Sequence, residues 1–220
     1  MIGADAVEPA AVVRNLGLFI DNELSMKVHI TSLVRVCFGI LRQLKPVSRS
    51  IPREILRQLV QCFVMSRIDY CNVAFVGLPK QQLDRLQSVI NAAARLVARV
   101  HKCDHINSVL RDQLHVLKIR ERIQYKLCLL VYKCLHNLAP PYLKQHIRPL
   151  NEDSSRQRLR SFKTLNVFVP RTRTVGGDRA FSVAGPKAWN DLPVSIQDNN
   201  NISTFKHLLK TLFLRLSYDC

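Results

Sequence analysis

Acidic residues are scarce in this chain. Only 16 Asp and Glu face 33 Lys and Arg over 220 residues, a formal charge of +17. Metal-dependent nucleotidyl transfer needs converging carboxylates, usually as paired aspartates on a hydrophobic turn. No Asp-Asp pair occurs, and the only adjacent acids, Glu152 and Asp153, sit in a Ser/Arg-rich stretch. Glycine is also sparse, with 7 in the whole chain. Neither G-x-x-x-x-G-K-[ST] nor G-x-G-x-x-G is present, so Gly176-Gly177 makes no phosphate loop. No G-x-S-x-G nucleophile elbow appears. Long apolar runs are missing too. The stretch 127–135 comes closest and is broken by Lys133, well short of the roughly 18 residues of a membrane span. Residues 1–11 carry Asp5 and Glu8 and lack a basic, apolar leader. The seven Cys are odd in number and irregularly spaced, which suggests a reducing compartment rather than a disulfide framework. The expectation is an intracellular chain, in nucleus or cytoplasm, with no membrane, metal or cofactor.

What remains is helical texture. Apolar residues make up 47% of the chain, enough for a core, and low Gly favours helices over sandwiches. Residues 12–20 (VVRNLGLFI) are β-rich around Gly17 and predict a short strand or hairpin. A lone hairpin is marginal in water and wants a partner. The spacing of Ile30, Leu33, Cys37, Leu41 and Leu44 predicts a helix over 24–45, capped by Ser25 and ended by Pro46. A second is expected from Pro52 with Ser50 as cap, running to about Arg67. Its apolar residues Ile55, Leu56, Leu59, Val60, Cys62, Phe63 and Val64 cover much of its circumference, so it should be central. A third helix, 80–101, carries the stripe Leu83, Leu86, Ile90, Ala93, Val97 and Val100. A short helix over 106–114 and a fifth over 119–138 follow, the latter burying Ile123, Leu127, Leu130, Cys134 and Leu138. The segment 151–177 turns polar and Arg-rich, with one short strand at 165–169. The only Trp, Trp189, lies in an apolar knot before a last helix over 203–216. The fold class is therefore mainly α: a helical bundle with a short N-terminal strand or hairpin and a small C-terminal α subdomain. The boundaries fall at 1–23, 24–147, 148–177 (a basic linker) and 178–220.

An excess of cations must sit on the surface, where it attracts polyanions. Glu54 is the only acid between Ser25 and Arg67. In and between the first two helices lie Lys27, Arg35, Arg42, Lys45, Arg49, Arg53, Arg57 and Arg67. Arg35 and Arg42, and Arg53 and Arg57, share helix faces. A second cluster holds Arg148, Arg156, Arg158, Arg160, Lys163, Arg171, Arg173 and Arg179. A solvated loop would explain one such cluster; two of the same sign point to nucleic acid. Few aromatics accompany them, which favours phosphate contact over base stacking. The candidate nucleic-acid-binding residues are Arg35, Arg42, Lys45, Arg49, Arg53, Arg57, Arg67, Arg171 and Arg173. His101, Cys103 and His105 alternate, with His115 beyond, but no second Cys/His pair closes a zinc site, so they read as loop residues.

An ordered set of short strings adds to this. Asn15-Leu16-Gly17, Ile20-Asp21, Leu24-Ser25 and His29-Ile30 come first. Asp69-Tyr70-Cys71-Asn72, Gly77-Leu78-Pro79, Leu86-Gln87 and Asn91-Ala92-Ala93-Ala94-Arg95 follow. Asp104-His105-Ile106, the Leu138-Ala139-Pro140-Pro141-Tyr142-Leu143 block and the run from Gly177-Asp178-Arg179 through Ala184 come next. Pro186-Lys187, Trp189-Asn190, Leu192-Pro193 and Ser203-Thr204-Phe205-Lys206 complete the set. In this order, over about 12–216, the chain resembles the C-terminal thumb and tail region of the reverse transcriptase of non-LTR retrotransposons, the LINE class with jockey-like elements. The resemblance implies that 1–23 is a remnant of the palm's end and 24–147 a thumb-like bundle holding an RNA or DNA template–primer duplex. It implies an RNA-directed DNA polymerase as the parent, whose palm and fingers would be partners of this chain. The catalytic aspartates of that family lie upstream of every matching string, so no catalytic residue carries over and the chain itself is not expected to be an enzyme. Rival readings are a helical protein-interaction module and a non-functional gene-model fragment of such an element.

Overall fold

The computed structural model describes residues 10–101, 103–150 and 165–218; residues 151–164, which hold Arg156, Arg158, Arg160 and Lys163, lie outside the described residues. The fold is mainly α. Its sheet is a two-stranded antiparallel hairpin, β1 (Val12–Asn15) and β2 (Leu18–Asp21), with Asn15 opposite Leu18. Leu16 and Gly17 close it with φ of 45° and 87°, the left-handed pair that a two-residue turn matching strand twist requires. The hairpin finds support in helices rather than in a further strand. β2 lies on α1 (Lys27–Val47), and the Tyr70 hydroxyl donates to the Leu16 carbonyl at 2.6 Å. β1 stays exposed along its length.

The entry to α1 differs from expectation. Ser25 does not cap it; the cap position is Met26, in the left-handed region at φ 57°. Asp21 captures Ser25 instead, accepting its amide at 2.6 Å and its hydroxyl at 2.8 Å. Burial pushes the Asp21 carboxyl up, but these bonds outweigh it and hold the group below its ordinary value. The turn so formed drives Met26 into the core. Pro46 does not end α1 either, but sits in its last turn. The ring removes only the bond that Arg42's carbonyl would accept, and Ser48 still donates to Leu44 at 2.9 Å.

Pro52, not Ser50, occupies the cap position of α2 (Arg53–Val60), which continues through a π turn (Gln61–Met65) into α3 (Ser66–Asp69). This rod is not central. Leu56, Val60 and Val64 are buried, whereas Ile55 and Phe63 remain exposed. After a 3-10 turn (Asn72–Phe75), α4 (Lys80–Ala98) buries Leu83, Leu86, Ile90, Ala93 and Val97 as its spacing predicts. It stops three residues early, because Arg99 turns left-handed at φ 56°. α5 (Ile106–Ser108) runs into a second π turn (Val109–Gln113). α6 (Ile119–Leu135) is the central helix, touching α4, the 3-10 turn and the later helices at 181–190 and 202–218. It ends before Asn137, whose φ of 58° bends the chain and leaves Leu138 exposed. The Gln87 side-chain Oε1 from α4 accepts the Ile119 amide at 2.8 Å and so caps α6 from outside. Asp69 and Arg122 form a two-pronged ion pair, at 2.9 and 2.5 Å, that fastens α3 to α6.

Short α7 (Pro141–Lys144) and α8 (Val175–Asp178) lead to α9 (Phe181–Asn190), α10 (Val194–Gln197) and α11 (Ile202–Tyr218). Val167, from the expected 165–169 strand, forms a single bridge with Pro149 and is buried. Gly185 lets α9 approach α6: a Cβ there would stand 3.0 Å from Val131 Cγ2. Trp189, Phe205 and Tyr132 stack into one aromatic knot, Tyr132 and Phe205 at 4.2 Å between ring centres. Trp189 Nε1 donates to the Leu165 carbonyl at 2.9 Å. One continuous core thus runs from Met26 to Phe213.

His29 is the titratable group inside the hairpin's footing. It is buried between the rings of Phe19 and Phe75, with the Phe19 amide donating to Nδ1 at 3.5 Å. Burial depresses its pKa below the ordinary 6.5, and burial does the same to His136. The unfolded chain therefore takes up protons that the folded chain refuses, and stability falls as pH drops through about 6.5. Urea unfolding from pH 7.5 to 5.5 should show this loss. His29→Asn, which keeps an acceptor but does not titrate, should flatten the slope and leave the share carried by His136. An unchanged slope in that variant contradicts the assignment.

Candidate nucleic-acid interface

The C-terminal halves of α1 and α4 pack side by side and leave a groove of about 1160 Å³ on their solvent side. Helical spacing makes it. On α1, Phe38, Leu41, Arg42, Lys45 and Pro46 face it; on α4, Ala92, Arg95, Leu96 and Arg99 do. Ala92 belongs to the Ala92-Ala93-Ala94 run, whose small side chains let α1 come close. Arg42, Lys45, Arg49, Arg95 and Arg99 all line the groove, and among the described residues no carboxylate does. Five positive groups around one concavity raise the local potential and attract anions.

The nine candidate residues separate once placed in space. Arg42, Lys45 and Arg49 come together in the groove. Arg35 is exposed on α1, one heptad before Arg42, and extends the same stripe. Arg53 is occupied elsewhere: its guanidinium donates to the carbonyl of Ala98 at the end of α4. Arg57 pairs with Glu54 at 3.7 Å. It also lines a separate apolar cavity of about 270 Å³ against a different face of α4, with Ile90, Ala93 and Val97. Arg67 is exposed near the end of α3, where its charge is felt at Cys37. Arg171 and Arg173 are exposed on the approach to α8. That approach is anchored by Arg179, which donates to the carbonyls of Leu24, Ala74 and Val76 at 2.6, 3.2 and 2.9 Å. Leu24 lies just before α1 begins and Arg49 just after it ends, so Arg179 and Arg49 are held at opposite ends of a helix roughly 30 Å long, at 1.5 Å per residue.

Two groove residues, Arg95 and Arg99, were not among the candidates. Arg95 closes the Asn91-Ala92-Ala93-Ala94-Arg95 string, and its Nε is buried with no hydrogen-bond partner among the described residues. Arg99 donates through one terminal nitrogen to the carbonyls of Ser48 and Ile51, both at 2.7 Å. Their i, i+4 spacing on α4 was the available signal.

Other chemistry finds no support among the described residues. No cluster of His, Cys, Asp or Glu is placed to hold a metal ion. His101, Cys103 and His105 are exposed, and Asp104 accepts the His101 amide at 2.6 Å to close their turn. Burial pushes the Cys37 thiol up to about 11 and the Cys128 thiol up to about 12, so neither is a thiolate nucleophile near neutral pH. No described helix is long and apolar enough to cross a membrane. No family model, curated protein or solved structure matches this chain.

The geometry divides the arginines by role. Arg53→Ala and Arg99→Ala each remove a charged donor from helix-end carbonyls and should lower unfolding stability by roughly 1–2 kcal/mol. The Arg42 and Lys45 side chains make no hydrogen bond or ion pair among the described residues, so Arg42→Ala and Lys45→Ala should stay within about 0.5 kcal/mol of the parent. Chemical denaturation of the four variants checks this; equal losses in both pairs contradict it.

Proposed function

We propose that the chain is a non-catalytic, nucleic-acid-holding C-terminal part of an RNA-directed DNA polymerase of the non-LTR retrotransposon class, and that the α1–α4 groove grips template–primer nucleic acid by its phosphates. The observation that carries the binding half is the groove itself: among the described residues, five cations, no acid, and a buried Arg95 Nε left without a partner. A guanidinium or ammonium contact to phosphate oxygen is charge-assisted and needs no particular base. The polymerase half rests on the ordered strings that resemble that family. In this reading the exposed outer edge of β1, with Val12 and Val13 in water, takes a strand of the polymerase palm as its partner.

Neutralising a phosphate releases condensed counterions, so affinity falls with salt in proportion to the contacts made. Fluorescence-anisotropy titration of a primer–template with a single-stranded overhang should give a log–log salt slope of about −3 to −4, as expected for four or five contacts. Arg42→Ala with Lys45→Ala should flatten that slope by about 1.5 to 2. Absence of binding at low salt, or a slope untouched by the double variant, contradicts the proposal.

A further inference from the structure

The floor of the groove is apolar, which a site for phosphates alone does not need. Phe38 and Leu41 from α1, Leu96 from α4 and Val100 just beyond its end line the groove alongside the cations. Phe38 is 37% exposed, so a large part of its ring is open to solvent. Its position at i−4 from Arg42 sets ring and guanidinium on one stripe of α1. The scarcity of aromatics beside the basic residues argued for backbone contact only. The fold changes that by bringing this one ring into the basic concavity.

Width decides what enters. Packed helices stand 8–10 Å apart, and the groove is the furrow between two of them. A duplex, whose major groove alone is about 12 Å wide, is broader than the furrow and can only lie across its rim. A single strand can lie along it. From Phe38 to Arg49 is about 16 Å of helix axis, the reach of roughly four or five nucleotides at a stacked per-strand spacing of 3.4 Å.

Building on the nucleic-acid reading above, we infer that the α1–α4 groove seats a single-stranded segment of RNA or DNA, with phosphates on Arg42, Lys45 and Arg95 and a base face on Phe38. Every base has a π face, so such a seat is indifferent to sequence yet requires bases to be present and unpaired. This separates it from a general polyanion site, which asks only for charge.

The test compares four labelled probes on the full chain: an oligothymidylate strand, the same strand paired with oligoadenylate, an abasic strand of equal length, and inorganic polyphosphate. The single strand is expected to bind at least roughly tenfold more tightly than the other three. Phe38→Ala should lose about tenfold on the single strand and nothing on the duplex, whereas Phe38→Tyr should retain binding. The half-exposed ring makes folding of both variants straightforward to check by circular dichroism. Equal binding of duplex or abasic strand, or a neutral Phe38→Ala, overturns the single-strand inference while leaving the phosphate reading standing. Polyphosphate binding as tightly as the strand overturns it as well. No binding of any probe at low salt overturns both.

Discussion

The arginine-to-carbonyl bond is the contact on which this architecture turns. With half as many acids as bases, the chain cannot pair every cation with a carboxylate. It uses backbone carbonyls at the ends of elements instead; those of Ser48 and Ala98 stand at the C-termini of α1 and α4, where the helix dipole favours positive charge. Arg99 holds Ser48 and Ile51, Arg53 holds Ala98, and Arg179 holds Leu24, Ala74 and Val76. The first two ties cross at one point, where α1 ends, α2 begins and α4 ends. They fix the angle between α1 and α4, and hence the shape of the groove. The third closes the other end of α1, and Gly77 at φ 66° gives it room, since a Cβ there would meet Arg179 Cγ at 2.8 Å.

The groove follows from that division of labour. Cations that serve the fold point at carbonyls, and those left over point at solvent. Arg42, Lys45 and Arg49 belong to the second kind, and among the described residues no lining acid compensates their charge. Asp69 and Arg122 show the contrast: a rare acid is spent inside the fold, joining α3 to α6 where both side chains are largely buried.

Much of the fold was legible in periodicity. Leu83, Leu86, Ile90, Ala93 and Val97 recur at helical spacing, and all five are buried on α4. The hairpin was legible in Gly17 between β-rich runs. Helix ends were less so. Ser25 has the side chain of a cap, and its Oγ accepts the Lys27 amide at 3.4 Å while donating to Asp21 four residues back, but the cap position itself falls to Met26. Centrality was misjudged because counting apolar residues on the second helix cannot reveal that Ile55 and Phe63 face water. Of the candidate site, the stripe on α1 was legible from spacing alone. Arg53 was indistinguishable from Arg42 as text; the difference lies in Ala98, 45 residues away. Arg95 and Arg99 were hidden for the same reason, since only the approach of α4 to α1 gives them a common face with Lys45.

In the proposed reading, the cations between α1 and α4, rather than Arg171 and Arg173, hold the nucleic acid. The most direct measurement is amide NMR on the isotopically labelled chain, titrated with a single-stranded oligonucleotide at low salt. The expected result is a contiguous set of shifts at Phe38, Arg42, Lys45, Arg95 and Arg99, with Arg171 and Arg173 unmoved. Shifts centred on Arg171 and Arg173, with α1 and α4 silent, would contradict the account.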